Sequence, residues 1–272
     1  MCGRYATTRS ADDLAKLFAA FDETEGTLAP DYNLAPTDPA PIVRLLHGAA
    51  QTPAALRRVL SVARWGLVPV WADDPRIGAR MINARSETVA TARAYAASFR
   101  QKRCLVPADG WFEWATIDGR KQPHFMTVPE GFAFAGLWAT NDSERPARSD
   151  GAATNDSERP ARSHAAATKN TTGRFGLSCS IITTAAVGDL TRIHDRMPLL
   201  LEPDRWEEWL TAPVTDVTAA AALLAPPPPK YVASIEIRPV GPAVGNVRND
   251  GPELIARVGD AQARPEIQER LF

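Results

Sequence analysis

The 272 residues carry 31 Lys and Arg against 32 Asp and Glu, a net charge of −1, with 44% apolar and 23% charged residues. That composition excludes disordered, fibrous and membrane-embedded classes and fits a globular chain long enough for a full core, as one domain or two small ones. The neutral balance gives no global pull toward a polyanion, so any such site has to be a local patch. Arginine outnumbers lysine 26 to 5, which suits bidentate phosphate recognition but follows equally from a GC-rich coding sequence. No apolar run of about eighteen residues and no basic-then-apolar leader occurs, so no membrane contact and a cytoplasmic location are expected. Cys2, Cys104 and Cys179 are an odd, widely spaced set, which argues for reduced thiols rather than a disulfide framework or a four-ligand zinc site. Neither a metal nor a cofactor is expected.

Taken in chain order, Ser10 with Asp13 reads as an N-cap pair ahead of a core helix whose apolar face is Leu14, Leu17, Phe18 and Phe21. Residues 31–41 read as a loop, followed by strands over 42–46 and 59–68. Ser86 and Thr88 predict a helix running to about Phe99. Between Cys104 and Trp138 the pattern turns to short β-rich runs with a hairpin at Asp118-Gly119. Further strands are expected over 175–184, 197–201 and 231–239, and helices from Pro203 to Leu210 and from Thr215 to Leu224. Residues 139–166 repeat a polar fourteen-residue unit in tandem, expected to be a disordered surface loop, while Pro226 to Pro229 reads as a stiff connector. The sum is an α+β fold in a single domain, residues 2–255, with a mixed, mostly antiparallel, barrel-like β core flanked by helices. The duplicated insertion spans 139–173 within it, and 256–272 is a tail.

The chain opens Met1-Cys2-Gly3-Arg4. Methionine aminopeptidases accept a small second residue, so Cys2 is expected to become the first residue, carrying a free α-amine beside its thiol. An α-amine titrates near ~7.8 against ~10.4 for lysine, so its neutral form costs about 3.5 kcal/mol less at pH 7. It can attack an aldehyde to give an imine, on which the adjacent thiol closes as a five-membered thiazolidine.

Four further segments carry chemistry, each with an ordinary structural reading beside it. Asn83-Ala84-Arg85 joins a strand end to a helix start, where amides, Asn83 and Arg85 can hold an anion or a sugar oxygen, or where a helix is simply capped. Strand alternation puts Glu113 on the face of Trp111, an aromatic setting that raises a carboxyl pKa, unless Glu113 is a rim residue. His194 and Arg196 lie two apart, one suited to proton transfer and one to phosphate. Residues 64–71 mix Arg64 with Trp65 and Trp71, as a platform for unpaired bases does and as ordinary packing also does.

In order, Met1-Cys2-Gly3-Arg4, Tyr32-Asn33-Leu34-Ala35-Pro36-Thr37, Arg64-Trp65-Gly66-Leu67-Val68-Pro69, Asn83-Ala84-Arg85-Ser86-Glu87-Thr88, Pro107-Ala108-Asp109-Gly110-Trp111-Phe112-Glu113-Trp114, Ile182-Thr183-Thr184, His194-Asp195-Arg196-Met197-Pro198 and Val247-Arg248-Asn249-Asp250 resemble the SRAP family of abasic-site processing proteins. The resemblance implies a monomer that binds single-stranded DNA at abasic sites, associates with the nucleoid during DNA damage and crosslinks itself to the ring-opened sugar. It needs no small-molecule cofactor and has lyase and peptidase-like self-processing character. By the same resemblance Cys2 supplies amine and thiol, Asn83 holds the cysteine and sugar, Glu113 shuttles protons and His194 assists ring opening and reversal. Arg85, Arg196 and Arg4 match phosphate-contacting positions, and Pro36 and Trp65 lie in segments lining the DNA cleft. Two other readings stand: an N-terminal-nucleophile hydrolase of the glutamine amidotransferase type, which also begins Met-Cys-Gly but continues differently after Gly3, and a non-catalytic single-strand binder in which Cys2 only packs.

Overall fold

The computed structural model describes residues 2–47, 56–129, 131–141 and 176–258. The strands are β1 (Tyr5–Thr7), β2 (Phe21–Asp22), β3 (Asp31–Leu34), β4 (Pro39–His47), β5 (Leu56–Trp65), β6 (Asn83–Arg85) and β7 (Arg103–Ala108). They continue with β8 (Gly110–Ile117), β9 (Arg120–Thr127), β10 (Phe132–Thr140), β11 (Leu177–Ala185), β12 (Arg196–Pro198), β13 (Leu200–Leu201) and β14 (Glu236–Pro239). The helices are short: α1 (Ala11–Phe18), α2 (Ala96–Gln101), α3 (Trp206–Thr211), α4 (Val217–Leu223) and α5 (Pro229–Ala233).

Two sheets form, one ordered β14-β9-β8-β1-β3 and the other β12-β11-β10-β7-β4-β5-β2. In the second, β11 also pairs β5 in parallel at Ser178↔Arg64 and Cys179↔Trp65, so the path β5-β4-β7-β10-β11 returns to its start. That closure is the barrel-like core the sequence pattern implies, and most other pairings are antiparallel, as expected. Successive side chains of the strands face opposite sides, and the inward face of the first sheet, with Tyr5, Trp111 and Met126, packs against Trp65, Phe134 and Ile181 of the second. Cys2 lies in that shared core. The opposite face of the first sheet carries Phe112 and Phe125 against Val240, Val244 and Leu254.

The hairpin between β8 and β9 turns at Asp118 and Gly119, both at positive φ (49° and 76°), which matches the strand twist in a two-residue loop. Its register, Ile117↔Arg120 through Trp111↔Met126, puts Pro123 opposite Trp114 at a pair that exchanges no ladder hydrogen bonds, so the missing N–H of proline costs nothing there. At Gly66, φ is 133° and a Cβ would lie 2.5 Å from the carbonyl of Gly78. Only glycine fits, and β5 therefore stops at Trp65 rather than continuing to Val68 as the apolar run predicts.

Helix α1 begins as expected, with Ser10 Oγ accepting from Asp13 N at 3.1 Å, but it ends at Phe18 because Ala19 turns left-handed at φ 48°. Leu14 and Phe18 are buried, whereas Leu17 is exposed and Phe21 lies outside the helix on the edge strand β2. The helix expected from Ser86 to Phe99 is a chain of turns that becomes helical only at α2. Thr88 N and Thr91 N bond three residues back, and Thr91 Oγ1 takes the carbonyl of Thr88 at 3.2 Å, the local competition by hydroxyl residues that weakens helices. The strand expected over 231–239 is split: Pro229 starts α5, and only β14 is extended.

Ala139 and Thr140 of the duplicated stretch belong to β10, and buried Asn141 donates to the carbonyls of Pro69 and Ala72 at 3.1 and 2.9 Å. Residues 142–173 lie outside the described residues. Beyond 255, Val258 N still bonds the carbonyl of Pro239 at 3.1 Å, and 259–272 lie outside the described residues. Among the described residues no helix is long and apolar enough to cross a membrane.

Candidate active site

Strand β1 carries the start of the chain into the core between the sheets, because Tyr5 pairs both Trp111 of β8 and Leu34 of β3. Cys2, just before it, is fully buried, and its Sγ lies 3.9 Å from the carbonyl of Arg4. Burial pushes the Cys2 thiol well up, the neighbouring Glu113 adds to this, and the positive amino terminus opposes it. The sulfur therefore rests as a thiol.

Asn83 opens β6, which pairs β11 in parallel with Ile181 beside Asn83. Its Nδ2 donates to the main-chain carbonyl of Cys2 at 2.7 Å. Its Oδ1 is buried without a hydrogen-bond partner among the described residues. An amide anchored at one end with its acceptor unused is a ready partner for a donor arriving beside Cys2.

Glu113 does lie on the face of Trp111 and is 5% exposed. Burial raises its carboxyl to about 7, with the amino terminus pulling the other way and Asp195 adding to the rise. It thus takes up and releases a proton close to neutral pH, the condition a proton shuttle needs. His194 is held at the end of a 3-10 turn (Gly188–Arg192) by its N–H on the carbonyl of Leu190 at 3.1 Å. Its Nδ1 sits 2.9 Å from Arg196 N and 2.7 Å from Asp195 Oδ1. A neutral ring accepts from the amide, and a protonated one would donate to the carboxylate. Burial and then the amino terminus lower its pKa, which favours the neutral form and leaves Nε2 as the N–H. Glu113 acts directly on the Cys2 thiol, Asn83 grips the Cys2 carbonyl, and Asp195, the neighbour of His194, acts on Glu113, so these four residues converge.

The five cleft residues divide differently. Arg85 is exposed at the end of β6 with no ion pair among the described residues. Arg196 is engaged: its guanidinium forks onto Glu87 at 2.5 and 3.0 Å and reaches the carbonyl of Thr183 at 2.7 Å, and it holds the Glu87 carboxyl below its usual range. A phosphate would have to displace Glu87 to reach it. Arg4 ties the N-terminal segment to Asn33 Oδ1 at 2.7 Å and to the carbonyl of Val244 at 2.9 Å. Pro36 is half-buried in a turn locked by Thr37 N on the carbonyl of Trp65 at 2.8 Å.

Trp65 is fully buried, edge-on to Tyr5 with ring centroids 5.1 Å apart, and its indole N–H bonds the carbonyl of Ile82 at 2.9 Å. It packs behind the surface and offers no face to a base. The exposed indole of that segment is Trp71, 39% accessible, with the Arg93 guanidinium 4.9 Å from its ring. The close approach of Gly66 to Gly78 turns the chain between the two indoles, so that one packs and the other is exposed. Asn33 is a second residue that sequence reasoning passed over. Fully buried, it donates to the carbonyls of Val244, Asn246 and Asn249 at 3.3, 3.1 and 3.0 Å and so fastens the 242–249 segment under Arg4.

The family model described as SOS response associated peptidase (SRAP) matches residues 1–247. The chain is 31% identical to the abasic site processing protein YoqW of Bacillus subtilis over 260 residues, covering 94% of this chain and 99% of that one. Identity to the abasic site processing protein YedK of Escherichia coli is 31% over 263 residues, 95% and 100% of the two chains. Against the abasic site processing protein HMCES of Xenopus tropicalis it is 29% over 278 residues, 95% of this chain and 78% of that one. A crystal structure of a protein from Bacteroides thetaiotaomicron superposes with a TM-score of 0.70 at 20% identity, covering 94% of this chain and all of that one, a likeness of fold. With nine-tenths of its length matched and the ordered motifs gathered around Cys2, this chain belongs to the SRAP family.

Proposed function

We propose that this protein processes abasic sites in single-stranded DNA by forming a thiazolidine between Cys2 and the ring-opened sugar after Met1 is removed. The observation that supports it most is the convergence just described: an amide on the Cys2 carbonyl, a carboxyl buried to a pKa of about 7, and a neutral imidazole, all gathered around Cys2. Packing of Cys2 alone accounts for its burial but gives no reason for a buried glutamate with a raised pKa and an unused amide acceptor beside it.

The order of steps follows from the protonation states. The thiol is held protonated by burial, so the α-amine attacks the aldehyde first, giving a carbinolamine. Protonated Glu113 delivers its proton to the departing hydroxyl, water leaves, and the proton of the resulting iminium nitrogen returns to the Glu113 carboxylate, leaving the imine. The thiol then adds across the C=N bond, its proton passing to nitrogen, and the five-membered ring closes with no further loss of atoms. His194, with Nε2–H, gives a hydrogen bond to the ring oxygen of the closed sugar, steadying it as the anomeric hydroxyl proton passes to that oxygen and the ring C–O bond opens. The unused Oδ1 of Asn83 accepts from the sugar or the amine. Reversal retraces these steps through the same imine, which is also the intermediate a lyase needs. Self-processing here amounts to exposing Cys2 from behind Met1.

Strand binding falls to exposed groups around this pocket: Arg85 on phosphate, Trp71 rather than Trp65 against a base, and Arg196 if Glu87 yields it. The protein is mixed with an oligonucleotide bearing one abasic site, then boiled in detergent and run on a denaturing gel. A shifted band with the wild type and none with Cys2→Ser is expected. An equal heat-stable band from Cys2→Ser removes the thiazolidine, and no band from either leaves only non-covalent binding.

A further inference from the structure

We propose that Tyr95 is a positioning residue for the covalent step: its hydroxyl fixes the main chain of Asn83 and thereby aims the Asn83 amide at Cys2. This rests on the reading of Cys2 as nucleophile given above. The inference comes from how β6 is bonded. Ile181 N donates to the carbonyl of Ile82 at 3.0 Å, so in the parallel pairing of β6 with β11 the carbonyl of the next residue, Asn83, turns away from β11. No strand lies on that outer side, since β6 pairs β11 alone among the described strands.

The carbonyl of Asn83 is instead taken by the Tyr95 hydroxyl at 3.1 Å. Tyr95 sits at the N-cap of α2 and packs against the buried cluster that contains Val89, Phe99 and Trp209, and burial keeps the phenol protonated as a donor. The contact therefore braces a three-residue strand that has only one neighbour, at the residue whose side chain grips Cys2 at 2.7 Å and carries an unpartnered buried Oδ1. Without the hydroxyl, the Asn83 carbonyl loses the donor that holds it on the outer edge of β6, and the amide loses its fixed bearing on the amine and sugar. Positional looseness of this kind is felt in the rate of a reaction between preassembled groups rather than in binding.

Tyr95→Phe keeps the ring and deletes only the hydroxyl. Single-turnover crosslinking with saturating abasic oligonucleotide is expected to slow by about five- to tenfold, the worth of one hydrogen bond. Affinity for a strand carrying a tetrahydrofuran analogue, which cannot crosslink, should stay unchanged. In an Asn83→Ala background the same substitution should cause no further slowing, because the group being aimed is gone. A Tyr95→Phe protein that crosslinks at the wild-type rate, one whose loss lies wholly in affinity, or one that slows Asn83→Ala by the same factor overturns the proposal. Absence of crosslinking by the wild type would instead remove the reading of Cys2 on which it rests.

Discussion

Two charged residues lie buried on different sheets, Arg103 on the second and Glu113 on the first, and they have opposite fates. Arg103 at the start of β7 is 6% exposed, yet its guanidinium is gripped by main-chain carbonyls all round: Trp209 and Phe99 at 2.5 and 2.8 Å, Ala212 as well, with the Trp209 ring 5.6 Å beneath it. Burial lowers its pKa only to about 10, so it remains charged and clamps α2 and α3 to the sheet. Glu113 is equally buried, but burial dominates its surroundings and brings its pKa to about 7. A buried charge that is fully bonded is scaffolding; one held at the point of losing its charge is suited to exchanging protons.

Removing each group should therefore injure different properties. Glu113→Gln is expected to cut the rate of crosslinking by about 10²-fold or more, the usual worth of a positioned acid–base group, and to flatten the loss of rate above pH 7 in a single-turnover pH profile. The same variant should be more stable than the wild type in alkali. A carboxyl whose folded pKa lies above its unfolded value binds extra protons in the native state, so stability falls as pH rises from 4.5 to about 7. Glutamine has no such loss, and the gap, read from urea unfolding at pH 5 and pH 8, should reach up to about 3 kcal/mol. Equal pH dependence in both proteins would show that Glu113 keeps an ordinary carboxylate.

Arg103→Ala leaves the carbonyls of Trp209, Phe99 and Ala212 without their donor and should cost about 3 kcal/mol in the same unfolding measurement. The rate per folded molecule should hold. A variant that folds normally but crosslinks slowly would put Arg103 in the chemistry and end the contrast. Away from both buried charges, Trp71→Ala should weaken binding to single-stranded DNA by about tenfold, the value of one stacked base, with the saturated crosslinking rate intact. Unaltered affinity would strip Trp71 of that role. Smallest is Arg85→Ala, expected to reduce the salt slope of binding by about one, checked by titration at several ionic strengths.

The sequence made one half of the contrast legible. Strand alternation around Trp111 put Glu113 on the inner face, and that needs only a period of two. Arg103 was invisible, because its carbonyl partners come from α2 and from residues more than a hundred positions away on α3. The same limit explains the helix expected from Ser86. Local propensity supports a helix there, but Thr88 and Thr91 spend their bonding on nearby carbonyls, and Tyr95 is held out to Asn83. The two indoles of residues 64–71 read alike in sequence; the close approach of Gly66 to Gly78 decides which is buried, and nothing in the spacing shows that contact. Arg196 reads as a phosphate ligand until Glu87, nine residues before α2 in the chain and across the sheet edge, is seen to hold it.

Intact-mass measurement of the mature protein after mixing with an abasic oligonucleotide bears most directly on Cys2. The expected product weighs as the chain lacking Met1 plus the strand minus one water, with no mass loss at ring closure. A product of full yield on a chain that still carries Met1, or that is acetylated on Cys2, would contradict attack by that amine and thiol.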